Sequence, residues 1–214
     1  MRRTELFTAA LQGTDDERDD AMRELHRAGD RETFELAREW ALDPDPARRR
    51  VGLNVLAQLG GLESSDRADW PFRPQTVDLL RPVLHNHDET PSVLAAAVAA
   101  AGHQHSGELL DEVLALRRHR DPEVRQAVAS ALTLLVHGLA ELDAIPRLVQ
   151  PLIELARDED PDVREWALFE LRTLHHGAPD ESPGALRVFH EARRATHPGV
   201  RAEALLALAA LSQL

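Results

Sequence analysis

Apolar side chains recur at helical spacing behind five prolines of this chain. These prolines stand at positions 46, 91, 122, 161 and 198. Seven and ten residues after each proline the side chain is Leu, Ala or Val, and six residues after it stands Gly, Ala or Val. At about 100° per residue, such positions share one side of a helix. The pattern therefore predicts five helices, which we call the B helices, near 46–59, 91–102, 122–137, 161–175 and 198–212.

A second amphipathic segment precedes each B helix, and we call these segments the A helices. They are predicted near 31–42, 75–86, 107–119, 144–157 and 185–196. A further helix pair, 3–12 and 15–28, stands before the first of them. Self-similarity with a period of about 30 to 45 residues is typical of stacked helical arrays rather than of one closed core. The sequence thus predicts an all-α solenoid, with capping helices in 1–29 and a repeat array over 30–214, in one continuous domain.

The junction before each B helix carries a recurring motif. Its clearest copies are Asp121-Pro122-Glu123-Val124-Arg125 and Asp160-Pro161-Asp162-Val163-Arg164. In residues 197–201 a His replaces the acid, and residues 45–49 and 90–94 are weaker copies. Proline is tolerated in the first turn because the N–H there has no helical partner, and the Asp before it can cap the helix. The motif therefore predicts the residue at which each B helix begins.

A two-helix unit with this motif at the start of its second helix resembles HEAT repeats, and most closely the HEAT-like type described in phycobilisome-lyase proteins. The resemblance covers about residues 30–214. It implies a right-handed α-solenoid of about five to six repeats, with the B helices on the concave face. In such repeats the Asp and Arg of the motif pair within and between units, so a structural role is implied for these residues. They are Asp121, Arg125, Asp160, Arg164 and Arg201.

The weaker copies of the motif affect this expected ladder of charged pairs. The first copy lacks the Val, and the second lacks both the Asp and the Arg. We therefore expect the ladder to be interrupted in the first two units.

The composition narrows the chemistry available to the chain. There is no Cys, and all 25 of the Lys+Arg positions are Arg. Without Cys there is no thiolate nucleophile or Cys-ligated metal, and without Lys there is no Schiff base and no phosphate-loop lysine. The sequence also lacks a Gly-rich phosphate loop, a G-x-S-x-G elbow and an H-E-x-x-H helix. We therefore predict no catalytic residue, no metal and no cofactor.

The charge balance bears on the partner. The formal net charge is −12, and because phosphate backbones require clustered cations, this argues against nucleic acid. No apolar run of about 18 residues is present, so neither a transmembrane helix nor a membrane partner is expected. Residues 1–7 lack the apolar region of a signal peptide, and the expected location is the cytoplasm. The oligomeric state stays open.

The side of the B helices opposite the core is the candidate binding surface. A solvated face would carry charges, but this strip holds small and apolar residues and, in the fourth unit, Trp166 and Phe169. Exposed apolar patches mark interaction sites, and Trp is common at binding hot spots. We hypothesise a concave groove that takes a helix or an extended peptide, with these two aromatics as anchors. The other candidate residues of this face are Ser130, Leu134, Thr173 and Leu206.

The alternative for this strip is that the curvature of the array buries it between adjacent B helices. A second ambiguity concerns residues 60–74, which interrupt the repeat rhythm and contain Trp70-Pro71-Phe72. Long connections of this kind are functional or disordered. Trp70 and Phe72 therefore have two interpretations, since they either pack over the seam between two units or belong to a partner-binding loop.

Three functions remain open. The extended surface of a solenoid favours a non-enzymatic scaffold or adaptor whose partner is a protein or peptide. The first alternative is a DNA glycosylase of the HEAT-like alkylpurine class, whose aromatic-lined cationic groove with a carboxylate could be imitated by Trp166 and Phe169 beside Arg164 and Glu170. The second is a small-ligand or chromophore lyase, suggested by the repeat type alone. The net charge of −12 argues against the glycosylase.

Overall fold

The computed structural model describes residues 2–60, 70–136, 141–174 and 183–211, leaving aside the side chains of 141–145. Within these residues the protein is all-α, with twelve α-helices and no strand. The helices are α1 (Arg3–Gln12), α2 (Asp15–Ala28), α3 (Arg31–Ala41), α4 (Pro46–Gln58), α5 (Arg73–His85), α6 (Pro91–His103), α7 (Leu110–Ala115), α8 (Pro122–Val136), α9 (Glu141–Leu155), α10 (Pro161–Leu174), α11 (Pro183–Ala192) and α12 (Pro198–Leu211).

Consecutive helices pair into six hairpins that stack into an array. Each even-numbered helix from α4 to α12 packs on the next even-numbered helix, so the B helices form one layer. The odd-numbered A helices contact one another less closely, which places the B layer on the inner, concave side of the curve. A single hydrophobic cluster runs between the two layers. The all-α solenoid expected from the sequence is confirmed.

Every B helix of the array begins at the proline that the repeat pattern marked. The Asp before it caps the helix as expected, since Oδ1 of Asp45, Asp121 and Asp160 each accepts from a backbone N–H two residues on, at 2.9 Å. The predicted ends at 137, 175 and 212 lie outside the described residues. The prolines therefore fix the register of the whole array.

The A helix of the third unit is shorter than predicted. Only α7 of the predicted span 107–119 is α-helical, and 3-10 turns at Gly107–Leu109 and Leu116–Arg118 flank it. Just before it, His105 adopts a left-handed backbone conformation with a φ of 48°, so the chain enters this element through a sharp turn. Gly107 also lowers the helix propensity at its start.

The Arg that closes the motif ties the A–B turn together. Nη1 of Arg125 donates to the carbonyls of His119 and Arg120, at 2.9 and 3.2 Å. Nη1 of Arg164 donates to the carbonyls of Asp158 and Glu159, at 2.7 and 2.9 Å. The arginines at the same position of two other copies, Arg49 and Arg201, make the equivalent pair of bonds. These side chains satisfy carbonyl groups that the helix ends leave open.

Ion pairs also link one unit to the next. Arg125 of the third unit donates to both carboxylate oxygens of Asp158 in the fourth, at 2.7 and 2.8 Å. The expectation that the ladder fails in the first unit was wrong, because Arg49 pairs with Glu89 at 2.6 Å. In the second unit Leu94 holds the position of the Arg. The A layer adds its own links, which are Arg81–Glu112, Arg117–Glu154 and Arg157–Glu191.

Trp70 and Phe72 are part of the core. They are only 3% and 8% exposed, and the Phe72 ring stacks on Phe34 with 4.5 Å between centroids. The guanidinium of Arg31 covers the Phe72 ring at 5.5 Å. These two side chains therefore follow the packing interpretation and leave no free surface for a partner. Residues 61–69 of the same segment lie outside the described residues.

Candidate functional site

A groove opens on the B layer where α6, α8 and α10 lie side by side. Its volume is about 410 Å³, within the range of small-ligand and side-chain pockets. Ala99 and His103 form its α6 side, and α10 supplies the two aromatic side chains. Its lining consists of Ala99, His103, Ser130, Ala131, Thr133, Leu134, Trp166, Phe169, Glu170 and Thr173.

The spacing on α10 explains why its large residues face the groove. Trp166, Phe169, Glu170 and Thr173 stand three or four residues apart, so one face of the helix carries them all. On the other side, α6 and α8 approach closely, because a Cβ on Gly102 would meet the Cβ of Ala131 at 3.1 Å. Small residues on these two helices therefore leave the space that the groove occupies.

Trp166 and Phe169 form an exposed aromatic pair. They are 40% and 37% exposed, and their rings meet edge to face with 5.8 Å between centroids. The guanidinium of Arg172 lies 5.1 Å from the Phe169 ring and is itself held by Glu203 of α12, at 2.9 Å. Phe169 is thus fixed from two sides, which reduces the rotamer freedom that it would lose on binding a partner.

Glu170 is a buried carboxyl group in the wall of the groove. It is 4% exposed, and its Oε2 accepts a hydrogen bond from the hydroxyl of Thr133. Burial raises the pKa of Glu170 to about 7, against the opposing effect of the Thr133 hydrogen bond. Among the described residues, none of the ion pairs includes Glu170. The wall therefore carries an acid that no cation of the described residues neutralises.

The repeat pattern of the sequence itself sets Glu170 apart from the equivalent residues of the other units. Glu170 stands nine residues after its motif proline. The equivalent residues of the other four copies are all apolar and buried, and they are Val55, Ala100, Ala131 and Ala207. Acidic residues are rarely buried, and packing in the other four repeats is achieved without one, so Glu170 is a candidate functional residue.

Comparison with known proteins assigns the repeat. Residues 77–172 match the family described as HEAT repeats. Residues 77–172 therefore consist of HEAT repeats. The matched segment spans α6 and α8 and all but the last residues of α10, so it contains most of the groove. Among curated proteins, none matches this sequence.

Solved structures share the fold of the whole helical array. YibA of Escherichia coli aligns with a TM-score of 0.74 at 21% identity, covering 97% of this chain and 70% of YibA. An engineered protein aligns at 0.62 and 19% identity, over 100% of this chain and 98% of its own. An armadillo repeat protein, computationally designed for modular peptide recognition, aligns at 0.54 and 16% identity, over 98% and 99%. At these identities the likeness shows the fold alone.

The HEAT array brings most of the sequence-selected residues into one place. Trp166, Phe169, Leu134, Ser130 and Thr173 all line the groove. Leu206 lies on α12, outside the lining, where it is 54% exposed. Val51 and Ala96 hold the position of Trp166 in the first two units, five residues after the proline. Both are buried, so for them the alternative holds, in which the strip is covered by adjacent B helices. The strip is therefore exposed in the later units of the array.

A second group of polar residues lies at the junction of the fourth and fifth units. Asp162, Glu165 and His197 bring three potential ligand atoms within 4.8 Å of one another, the one such group among the described residues. His197 Nδ1 lies 3.5 Å from a Glu165 oxygen, and Asp162 is exposed. The Glu165 carboxylate fills the space that a side chain at Gly199 would need. Nδ1 of His197 is also placed to accept from the backbone N–H of Val200, at 3.5 Å, so local packing at the start of α12 accounts for this arrangement.

The length and hydropathy of the helices decide whether the chain could cross a membrane. Over the described ranges, none of them combines the length and the apolar character needed to cross a bilayer.

Proposed function

We propose that this HEAT array is a non-enzymatic scaffold that binds a segment of a partner protein in the groove between α6, α8 and α10. The observation that carries the proposal is the exposed aromatic pair, Trp166 and Phe169, beside a groove of about 410 Å³. Large apolar side chains left exposed at a concavity are typical of protein-binding sites, and Trp is enriched among hot spots.

The form of the groove supports a helix or an extended peptide as the bound segment. Three parallel-running rows of side chains, from α6, α8 and α10, line an open channel rather than a closed pocket. Solenoids present extended concave surfaces of this kind, and helix-in-groove binding uses apolar anchors at regular spacing. A structurally similar armadillo repeat protein was designed for modular peptide recognition, which supports the same use of the fold.

A DNA glycosylase remains the second candidate, because aromatic side chains and a carboxyl group meet in one cleft. Trp166, Phe169 and Glu170 all line it. The lining carries no arginine, however, and the net charge of the chain is −12. A duplex would bring dense negative charge to a site without cations to receive it. A measurement of binding to duplex DNA at low salt separates the two candidates, because a glycosylase should bind the duplex and a protein-binding scaffold should not.

The proposal predicts that Trp166→Ala abolishes partner binding while the fold persists. Truncating a hot-spot Trp costs about 2 kcal/mol or more of binding free energy, roughly a thirtyfold loss of affinity. The matched control is Leu186→Ala, which removes an equally exposed hydrophobic side chain (40%) from α11 in the A layer. Immobilised wild type and both variants are used for affinity capture from an extract of the source organism, with circular dichroism as a check on helicity.

The expected result is a protein that wild type and Leu186→Ala retain and that Trp166→Ala releases. Equal retention by all three proteins contradicts the proposal, and so does unfolding of Trp166→Ala, since that would make Trp166 a core residue.

A further inference from the structure

We propose that the groove selects a partner segment carrying a basic side chain, arginine or lysine, which inserts along Trp166 and pairs with Glu170. This inference rests on the proposed function and adds the chemistry of the partner to it. Three observations carry it, and they are the unneutralised carboxyl, the aromatic wall and the charge of the chain.

The carboxyl of Glu170 stands where the repeat elsewhere has apolar side chains, and it is 4% exposed. Asp158, the best-buried acid among the pairs that link the units, does have a cationic partner, since it receives two hydrogen bonds from Arg125. Glu170 has the Thr133 hydroxyl as its hydrogen-bond donor among the described residues. Burying a carboxylate without a cation is costly, and a cation supplied by a partner removes that cost.

Burial raises the pKa of Glu170 to about 7, so near neutral pH the group exists in both protonation states. A guanidinium or ammonium group placed beside it would favour the ionised form and gain a charge-assisted hydrogen bond. His103 of α6 is the other titratable side chain in the lining. An acidic or phosphorylated segment would instead bring a second negative charge to the same wall.

The aromatic wall fits the stem and head of a basic side chain. Arg172 already lies over the Phe169 ring at 5.1 Å, so a guanidinium is compatible with the aromatic surface at this site. Trp166 is the best ring type for such contacts, and it exposes 40% of its surface beside the groove. The methylene groups of Arg or Lys can pack against Leu134 while the charged head reaches Glu170.

The charge of the whole chain favours the same partner. Its formal net charge is −12, and the groove lining contains no arginine. A basic segment would therefore be attracted at long range, and the positive charge of Arg172, beside the groove, is already balanced by Glu203. The net charge of the chain and the side chains of Trp166 and Glu170 thus favour the same ligand, a basic side chain.

The test is selection of a phage-displayed library of random dodecapeptides on three immobilised proteins, which are wild type, Trp166→Ala and Glu170→Gln. Glu170→Gln keeps the size of the side chain and an acceptor for Thr133 while it removes the charge. The peptide most enriched on wild type is then synthesised twice, with its basic residue intact and with citrulline or norleucine in its place. Fluorescence anisotropy gives the Kd of each peptide for each protein.

We expect wild type to enrich peptides with Arg or Lys beside apolar residues. The neutral replacement should weaken binding to wild type roughly tenfold, the loss of one charge-assisted hydrogen bond, and should leave binding to Glu170→Gln nearly unchanged. Enriched peptides that need Trp166 but carry no basic residue, or that lose affinity equally on both proteins, overturn this inference and leave the proposed function standing. Enrichment that does not depend on Trp166 contradicts the proposed function itself.

Discussion

Glu170 places a carboxyl group where the other four repeats of this chain pack an apolar side chain, and this has a consequence for stability. In the folded protein burial raises its pKa to about 7, against an ordinary value of 4.5. The folded state therefore holds this proton more firmly than the unfolded chain does. The stabilising contribution is fully present below about pH 4.5 and is lost as the pH rises through about 7.

This predicts that Glu170→Gln, which cannot ionise, becomes progressively more stable than wild type as the pH rises. Between pH 5 and pH 8 the difference in free energy of unfolding should grow by about 2–3 kcal/mol in favour of the variant. Urea unfolding of both proteins at each pH measures it. Ionisable groups remote from the groove cancel in the comparison, and a difference that does not change with pH would show that Glu170 is solvated.

At the scale of the element, ion pairs of differing burial join neighbouring hairpins in addition to apolar packing. Arg125 and Asp158 are the best buried of these pairs, with side chains 8% and 10% exposed. Burial alone would raise the pKa of Asp158, but the hydrogen bonds from Arg125 bring it below its ordinary value. The pair therefore contributes most when both groups are charged, and removing one partner leaves a buried charge behind.

Replacing Arg125 with Met should lower the free energy of unfolding by about 3 kcal/mol, because Asp158 loses its partner and two carbonyl groups of the turn lose their donor. The matched control is Arg23→Met, which breaks the exposed pair with Asp20 and should change stability by at most about 0.5 kcal/mol. Urea unfolding followed by circular dichroism compares the two. A loss of similar size in both variants would show that burial does not decide the strength of these pairs.

The first residue of each B helix followed from the sequence because proline and the residue before it act locally. The small residue six positions after each proline was also predicted, and Gly52 shows its reason. A Cβ there would come within 2.4 Å of the Ala41 nitrogen, where α4 crosses α3. The role of Gln104 could not be predicted, because its partners are distant in sequence. Its Nε2 donates to the carbonyls of Leu56 and Ala57 at the end of α4.

The candidate site was predictable in part for the same physical reason. The face that carries Trp166 and Phe169 is set by the helical period, so the sequence selected it. Whether that face is covered depends on how closely neighbouring B helices pack, which is a property of the stack. Thus Val51 and Ala96 are buried while Trp166 is exposed. Glu170 was considered only as the carboxylate of a possible glycosylase, because its burial becomes apparent only in the contrast with equivalent residues of the other repeats.

At the scale of the whole molecule, the stack of hairpins curves so that the B helices form an inner surface, and the groove lies in its later units. The protein contains three Trp residues, and they report on different parts of this array. Trp166 borders the groove, Trp40 packs against Phe7 with 5.0 Å between ring centroids, and Trp70 is 3% exposed. A signal from each Trp therefore separates binding in the groove from effects on the core.

The most direct test is fluorine NMR of the protein labelled with 5-fluorotryptophan, titrated with the basic peptide selected on wild type. Single Trp→Phe substitutions assign the three resonances. The account predicts that the Trp166 resonance alone shifts and saturates with the peptide, and that those of Trp40 and Trp70 stay in place. A titration in which Trp166 does not respond, or in which Trp40 or Trp70 shifts instead, contradicts a binding groove on the concave face of this array.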